Sequence, residues 1–160
     1  MEVVGADRFS EGMRRLAAGV CIVATKLGER RYGLTATAVC SLSAEPPALL
    51  VCVNQTAETH NAIRAVGRVS IQVLSANHID VARRFAGMKG EQKFEGALWS
   101  EHASGMPHLL DALASFDCLV VETWKCETHS VFKCVVERLA ASDGPPLIYG
   151  NKQFSGVVAL

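Results

Sequence analysis

Apolar and polar positions recur with two periods along this chain, and the short, strand-like one dominates. Val20-Cys21-Ile22-Val23-Ala24-Thr25 and Ala48 to Val53 are nearly unbroken apolar runs, the pattern of strands buried on both faces. Val69-Ser70-Ile71-Gln72-Val73-Leu74 alternates, and Tyr32 to Ser41, Ser115 to Trp124, His129 to Leu139 and Leu147 to Tyr149 also read as strands. Gly28 and its charged neighbours turn the first strand into the second. Glu45-Pro46-Pro47 ends that second strand, because proline cannot donate to a ladder.

Helical spacing is confined to three short stretches. Phe9, Met13, Leu16 and Ala17 fall on one face of a first helix, capped by Asp7 and stopped by Gly19. A second helix is capped near Thr59 and stops at Gly67. A third starts near Ser75-Ala76-Asn77 and ends at Phe85-Ala86-Gly87. Met88 to Gly105 has a weak pattern and reads as a loop anchored by Phe94 and Trp99. Six or seven strands with short connections and no βαβ rhythm predict a mainly β fold, an antiparallel barrel or Greek key, in one domain spanning 1–160.

Composition narrows the partners. Hydrophobic residues make up 49% of the 160, enough for a sizeable core with a surplus that suggests a surface covered by a second subunit. Sixteen basic residues balance sixteen acidic ones, so no net field draws the chain to nucleic acid or to an anionic membrane. Met1-Glu2-Val3-Val4-Gly5 lacks the order of a secretory signal. Tyr32 to Ala44, the longest uncharged stretch, is too short and too polar to span a bilayer. The expected location is the cytoplasm.

Six cysteines without a C-x-x-C pair read as small buried hydrophobes in a reducing compartment. The one metal-like spacing is Cys126-x2-His129-x4-Cys134. On a single strand its two thiols share a face and the imidazole points away, so no zinc site is expected. His60, His78, His102 and His108 are read as solvated. No G-x-G-x-x-G, no phosphate loop and no G-x-S-x-G elbow occurs, which argues against a Rossmann site and a serine hydrolase.

The segment Gly33 to Ser43 carries the chemistry. Its small side chains let a flat ligand lie close to the backbone. Hydroxyls at Thr35, Thr37, Ser41 and Ser43 can bind ring carbonyls, ribityl oxygens or phosphate. The plainer alternative is a Thr/Ser-rich strand with one wet face.

Leu34-Thr35-Ala36-Thr37-Ala38-Val39-Cys40-Ser41, then Pro46-Pro47 and Leu50-Val51-Cys52-Val53-Asn54, closely resemble the short-chain flavin reductase family. Phe85-Ala86-Gly87, Ser115-Phe116-Asp117-Cys118, Thr128-His129 and Leu147-Ile148-Tyr149 follow in family order. That family includes reductase components of two-component flavin-dependent monooxygenases, such as 4-hydroxyphenylacetate 3-monooxygenase reductase. The resemblance implies a split β-barrel of the FMN-binding type, a homodimer, and reduction of FMN or FAD by NADH or NADPH. Reduced flavin would then diffuse to a partner monooxygenase.

The resemblance also implies site residues. It lays the flavin along Thr35, Ala36, Thr37, Ala38, Cys40, Ser41, Leu42 and Ser43, with Asn54 and Thr59 near the phosphate and ribityl end. Phe85, Ala86 and Gly87 match a loop beside the cofactor, and Tyr149 falls in a matched strand. His129 becomes the catalytic candidate, orienting the nicotinamide or supplying a proton to reduced flavin. Three positions depart from the family pattern: Glu127 and Cys134 replace common glycines, and Ala57 replaces a common serine. These departures keep two alternatives in view, a non-catalytic flavin carrier and a cofactor-free structural barrel.

Overall fold

The structure is a computed structural model that describes residues 3–159. In chain order the elements are α1 (Ala6–Met13), β1 (Ala18–Gly19), β2 (Cys21–Leu27), β3 (Arg30–Ala36), β4 (Val39–Ala44), β5 (Pro47–Asn54), α2 (Glu58–Val66) and β6 (Arg68–Val73). They continue as α3 (Ile79–Gly87), β7 (Trp99–Glu101), β8 (Pro107–Leu109), β9 (Ala114–Cys126), β10 (His129–Ala141), β11 (Ile148–Gly150) and β12 (Gln153–Ser155). Seven strands form one antiparallel sheet in the order β3-β2-β6-β9-β10-β5-β4. The fold is mainly β with a few short helices, a split barrel whose seam lies between β3 and β4.

Alternation along the strands sorts the apolar residues into two cores. Val23, Ala36, Val51, Val53, Ile71, Cys118 and Phe132 fill the barrel interior, and Ile63 of α2 plugs it. On the other face of β2, Ile22 and Ala24 pack with Leu74, Phe85, Phe94 and Leu109 beneath α3. Gly67 ends α2 in the left-handed region at φ +70°, a conformation that glycine adopts without steric cost.

The largest departure from the sequence reading lies at Tyr32 to Ser41. This segment is two strands, broken at Thr37-Ala38. β3 and β4 are the opposite edges of the sheet, so those two residues carry the chain across the seam. Only the Ala38 carbonyl rejoins the ladder, accepting from Cys52 N–H at 3.0 Å. Strand propensity runs through the break because its residues are strand formers on both sides.

Other boundaries shift for local reasons. Gly5, not Asp7, is the N-cap of α1, and Gly19 lies in β1, paired with Ile148. α1 buries no residue, although its apolar positions are spaced for one face. Ala57 precedes α2 as its N-cap, with Thr59 already inside the helix. Ser75 and His78 form a reciprocal capping box ahead of α3. The expected loop after α3 contains β7, which pairs with β8.

The histidines also differ from expectation. His60 and His78 are buried, held by Ser130 and Ser75 respectively. His102 stacks on His108 with ring centroids 4.3 Å apart. Cys21, Cys118 and Cys134 are buried as expected, whereas Cys40 and Cys126 are exposed. Cys126 and Cys134 sit on different strands, separated by the turn that joins β9 to β10.

Candidate functional site

A cleft of about 790 Å³ opens where the C-terminal end of β3 meets α3 and the β11–β12 hairpin. Thr35, Ala36 and Thr37 form one wall, and Ile79, Arg83, Ala86 and Gly87 form the second. Tyr149, Lys152, Gln153 and Phe154 close the third side, and Val20 lies at the base. The walls are small or apolar and the rim is cationic and aromatic, with no carboxylate lining it.

Each wall is fixed by a contact the local sequence provides. The Thr35 hydroxyl donates to the Ala82 carbonyl at 2.6 Å, tying β3 to the middle of α3. Two residues earlier, Gly33 leaves room for the Phe85 ring. Lys93 crosses beneath, its Nζ donating to the Gly33 carbonyl at 2.8 Å; burial holds its pKa below the ordinary lysine value. The hairpin is anchored by the pairing of Tyr149 with Ala18 and by Asn151 N–H donating to the Arg14 carbonyl at 2.6 Å. Its turn residues Asn151 and Lys152 both have positive φ, +48° and +63°, the pattern of a tight two-residue hairpin.

Two further clefts adjoin the first. One of about 540 Å³ runs along β4 and is lined by Cys40, Ser41 and Ser43. Another of about 450 Å³ lies under α1 and is lined by Ala38, Arg14 and again Tyr149 and Lys152. Thr37 lines all three. Cys21 also borders the β4 cleft, and burial pushes its thiol up to about 12, so it stays protonated and non-nucleophilic at neutral pH.

The structure therefore brings together Thr35, Ala36, Thr37, Ala86, Gly87 and Tyr149 around one cleft, with Ala38, Cys40, Ser41 and Ser43 in the adjoining ones. Leu42 lines none of these and is solvent-exposed. Phe85 lies behind the wall, buried against Phe94 and Trp99. Asn54 accepts from its neighbour Thr56 at the far end of β5, and Thr59 is buried in α2. His129 sits exposed at the base of the β9–β10 turn, its Nδ1 2.9 Å from the Thr128 hydroxyl. It lines none of the three clefts.

The pattern reading left out Lys152, Gln153, Phe154, Ile79 and Val20. Asn151 carried a turn signal that would have placed Lys152 at a hairpin tip. Val20 and Ile79 read only as core, since nothing in a strand-like run or a helix face marks the residue at the end of a cleft.

Residues 13–157 match the family model described as the flavin reductase like domain. The chain belongs to the flavin reductase-like family. Among curated members, the FMN reductase (NADH) RutF of Ancylobacter novellus is 36% identical over 96% of this chain and 86% of its own length. The flavin reductase domain protein of Arthrobacter sp. FB24 superposes with a TM-score of 0.91 at 30% identity, over 98% of each chain. BorF, the flavin reductase component of a bacterial two-component tryptophan halogenase, gives 0.89 at 27% identity, over 98% of this chain and all of its own. For this flavin reductase-like chain the split barrel is thus a shared architecture.

Proposed function

We propose that this chain is an NADH-dependent flavin reductase that takes FMN into the cleft at the seam and releases it reduced to a separate oxygenase. The observation that carries the reading is the cleft itself. Its walls of Ala36, Ala86, Gly87 and Thr37 lack bulk and suit a flat tricyclic ring, and Lys152 and Arg83 on the rim suit a phosphate. The flavin, when bound, supplies the redox chemistry, accepting hydride from the nicotinamide.

The protein's own task is placement. Ala36 and Gly87 let the ring lie against the backbone, and Thr37 presents a hydroxyl to its polar edge. Tyr149 and Phe154, with ring centroids 5.3 Å apart, shield one end from water. Lys152, Arg14 and Arg83 surround the mouth without an acidic residue in the lining. The one acid near Arg83 among the described residues is exposed Asp80, at 3.9 Å, and its guanidinium lies 5.8 Å from the Phe154 ring centroid, which leaves it able to turn to an anion.

A homodimer, one domain per chain over 1–160, completes the reading. Leu42, Val121 and Trp124 are each more than two-fifths exposed, and α1 and the turn after it leave Phe9 and Leu16 uncovered. His129, proposed to meet the nicotinamide, lies outside its own chain's clefts, so the site as read needs a second copy to complete it. FAD and NADPH are the alternative cofactors. Six free cysteines suit the proposed cytoplasmic setting. Among the described residues no helix is long and apolar enough to cross a membrane.

The test is NADH consumption at 340 nm with FMN, FAD and NADPH as comparators. Turnover with release of free reduced flavin supports the reading. Flavin fluorescence quenching without NADH loss would make the chain a carrier, and no quenching would make it a structural barrel. His129→Ala is expected to raise KM for NADH while the fold is kept.

A further inference from the structure

Thr123 and Lys125 alternate along β9 with Trp124 and Cys126 and therefore face the other side of the strand. With Gln55, His60, Arg64 and Ser130 they enclose a pocket of about 210 Å³, separate from the three clefts at the seam. Every lining side chain is polar, two are permanent cations, and none is a carboxylate. Its volume lies below the usual range for sites that take whole small molecules, roughly 300 Å³ upwards, and suits a single compact group.

The floor is built rather than incidental. His60 and Ser130 are each 3% exposed. His60 Nε2 is 2.9 Å from the Ser130 hydroxyl, and the imidazole stands edge-on to Phe132 at 5.5 Å. Gln55 holds the neighbouring turn, its Nε2 donating to the carbonyls of Glu127 and His129 at 3.1 and 2.6 Å. Arg64 and Lys125 join no ion pair among the described residues. On the same sheet, Arg68 and Lys133 are each paired with a glutamate at 2.7 Å. Two cations converging on a polar pocket without an acid repel one another, and an anion between them removes that cost.

We propose that this pocket binds a phosphate-class oxyanion. Arg64 and Lys125 supply the charge, and the Thr123 hydroxyl supplies a further donor. The group is either free inorganic phosphate or the phosphoryl end of a dinucleotide that docks beside His129. Only the second source rests on the reductase reading.

The test titrates the full chain with sodium sulfate and with inorganic phosphate, against chloride at matched ionic strength. Amide shifts of residues 55, 60, 64, 123, 125 and 130 and the melting temperature are followed. Saturable shifts confined to those residues, weakened at least ~10-fold in an Arg64→Gln/Lys125→Gln double variant and restored in Arg64→Lys/Lys125→Arg, are expected. No saturable shift, or equal affinity in the Gln double variant with its circular dichroism unchanged, overturns the proposal. If NADH displaces sulfate, the group is the dinucleotide's; if NADH leaves the sulfate shifts in place, it is the free anion. Because the readout needs no turnover, a chain that consumes NADH with flavin yet ignores sulfate defeats the pocket alone.

Discussion

Gly33 lies directly under the Phe85 ring: a Cβ built at residue 33 would fall 2.6 Å from Phe85 Cε1. The contact sets how closely α3 approaches β3, and the cleft is the gap left two residues further on. Gly33→Ala must displace the ring from its packing on Phe94 and Trp99. Overpacking of this kind costs about 1–3 kcal/mol. Urea denaturation should show a loss in that range, accompanied by weaker FMN quenching because Ala86 and Gly87 move with the helix.

Lys152 and Arg83 should matter only for ligands that carry phosphate. Lys152→Gln and Arg83→Gln are each expected to raise KM for FMN by about 10-fold, the worth of one charge-assisted hydrogen bond. KM for riboflavin, which has no phosphate, should stay within error. Equal losses for both flavins would show that these residues shape the cleft rather than hold the anion.

The stacked pair His102 and His108 predicts acid sensitivity. Burial lowers both pKa values, and for His102 the facing imidazole lowers it further, with Asp117 opposing. The folded state therefore resists protonation that the unfolded chain accepts near pH ~6.5. Stability should be full above that pH and decline as pH falls below it, as more protons bind to the unfolded state. Melting curves from pH 7.5 to 5 should show this decline, and a His102→Gln/His108→Gln variant should flatten it.

Trp124→Glu places a charge at the exposed indole on β9. If the chain forms the proposed homodimer, light scattering should report a dimer for the wild type and a monomer for the variant, with circular dichroism unchanged because Trp124 is not part of either core. A wild type that is already monomeric would end the homodimer reading.

The strands were legible because burial on two faces writes itself as long apolar runs, as in Cys21–Leu27 and Pro47–Asn54. Gly67 was legible as a helix stop because αL backbone favours glycine. The break at Thr37-Ala38 was not, since a seam depends on which strands become edges, and that is decided by distant pairings such as Ala48 with Val135, 87 residues apart. The histidines were misread for a related reason. His60 finds Ser130 across 70 residues and His102 finds Ser115 across 13, partners that no local pattern exposes. At the cleft, Thr35 to Thr37 stood out by their own chemistry, whereas Lys152 becomes a rim residue only through the positive φ of its hairpin turn.

The two-residue crossing at Thr37-Ala38 has a mechanical corollary. β3 and β4 share no ladder, so the backbone joins them at the seam while hydrogen bonding leaves them apart. A molecule seated in the proposed site against Thr37 would touch the short link between those two edges and so restrain both at once.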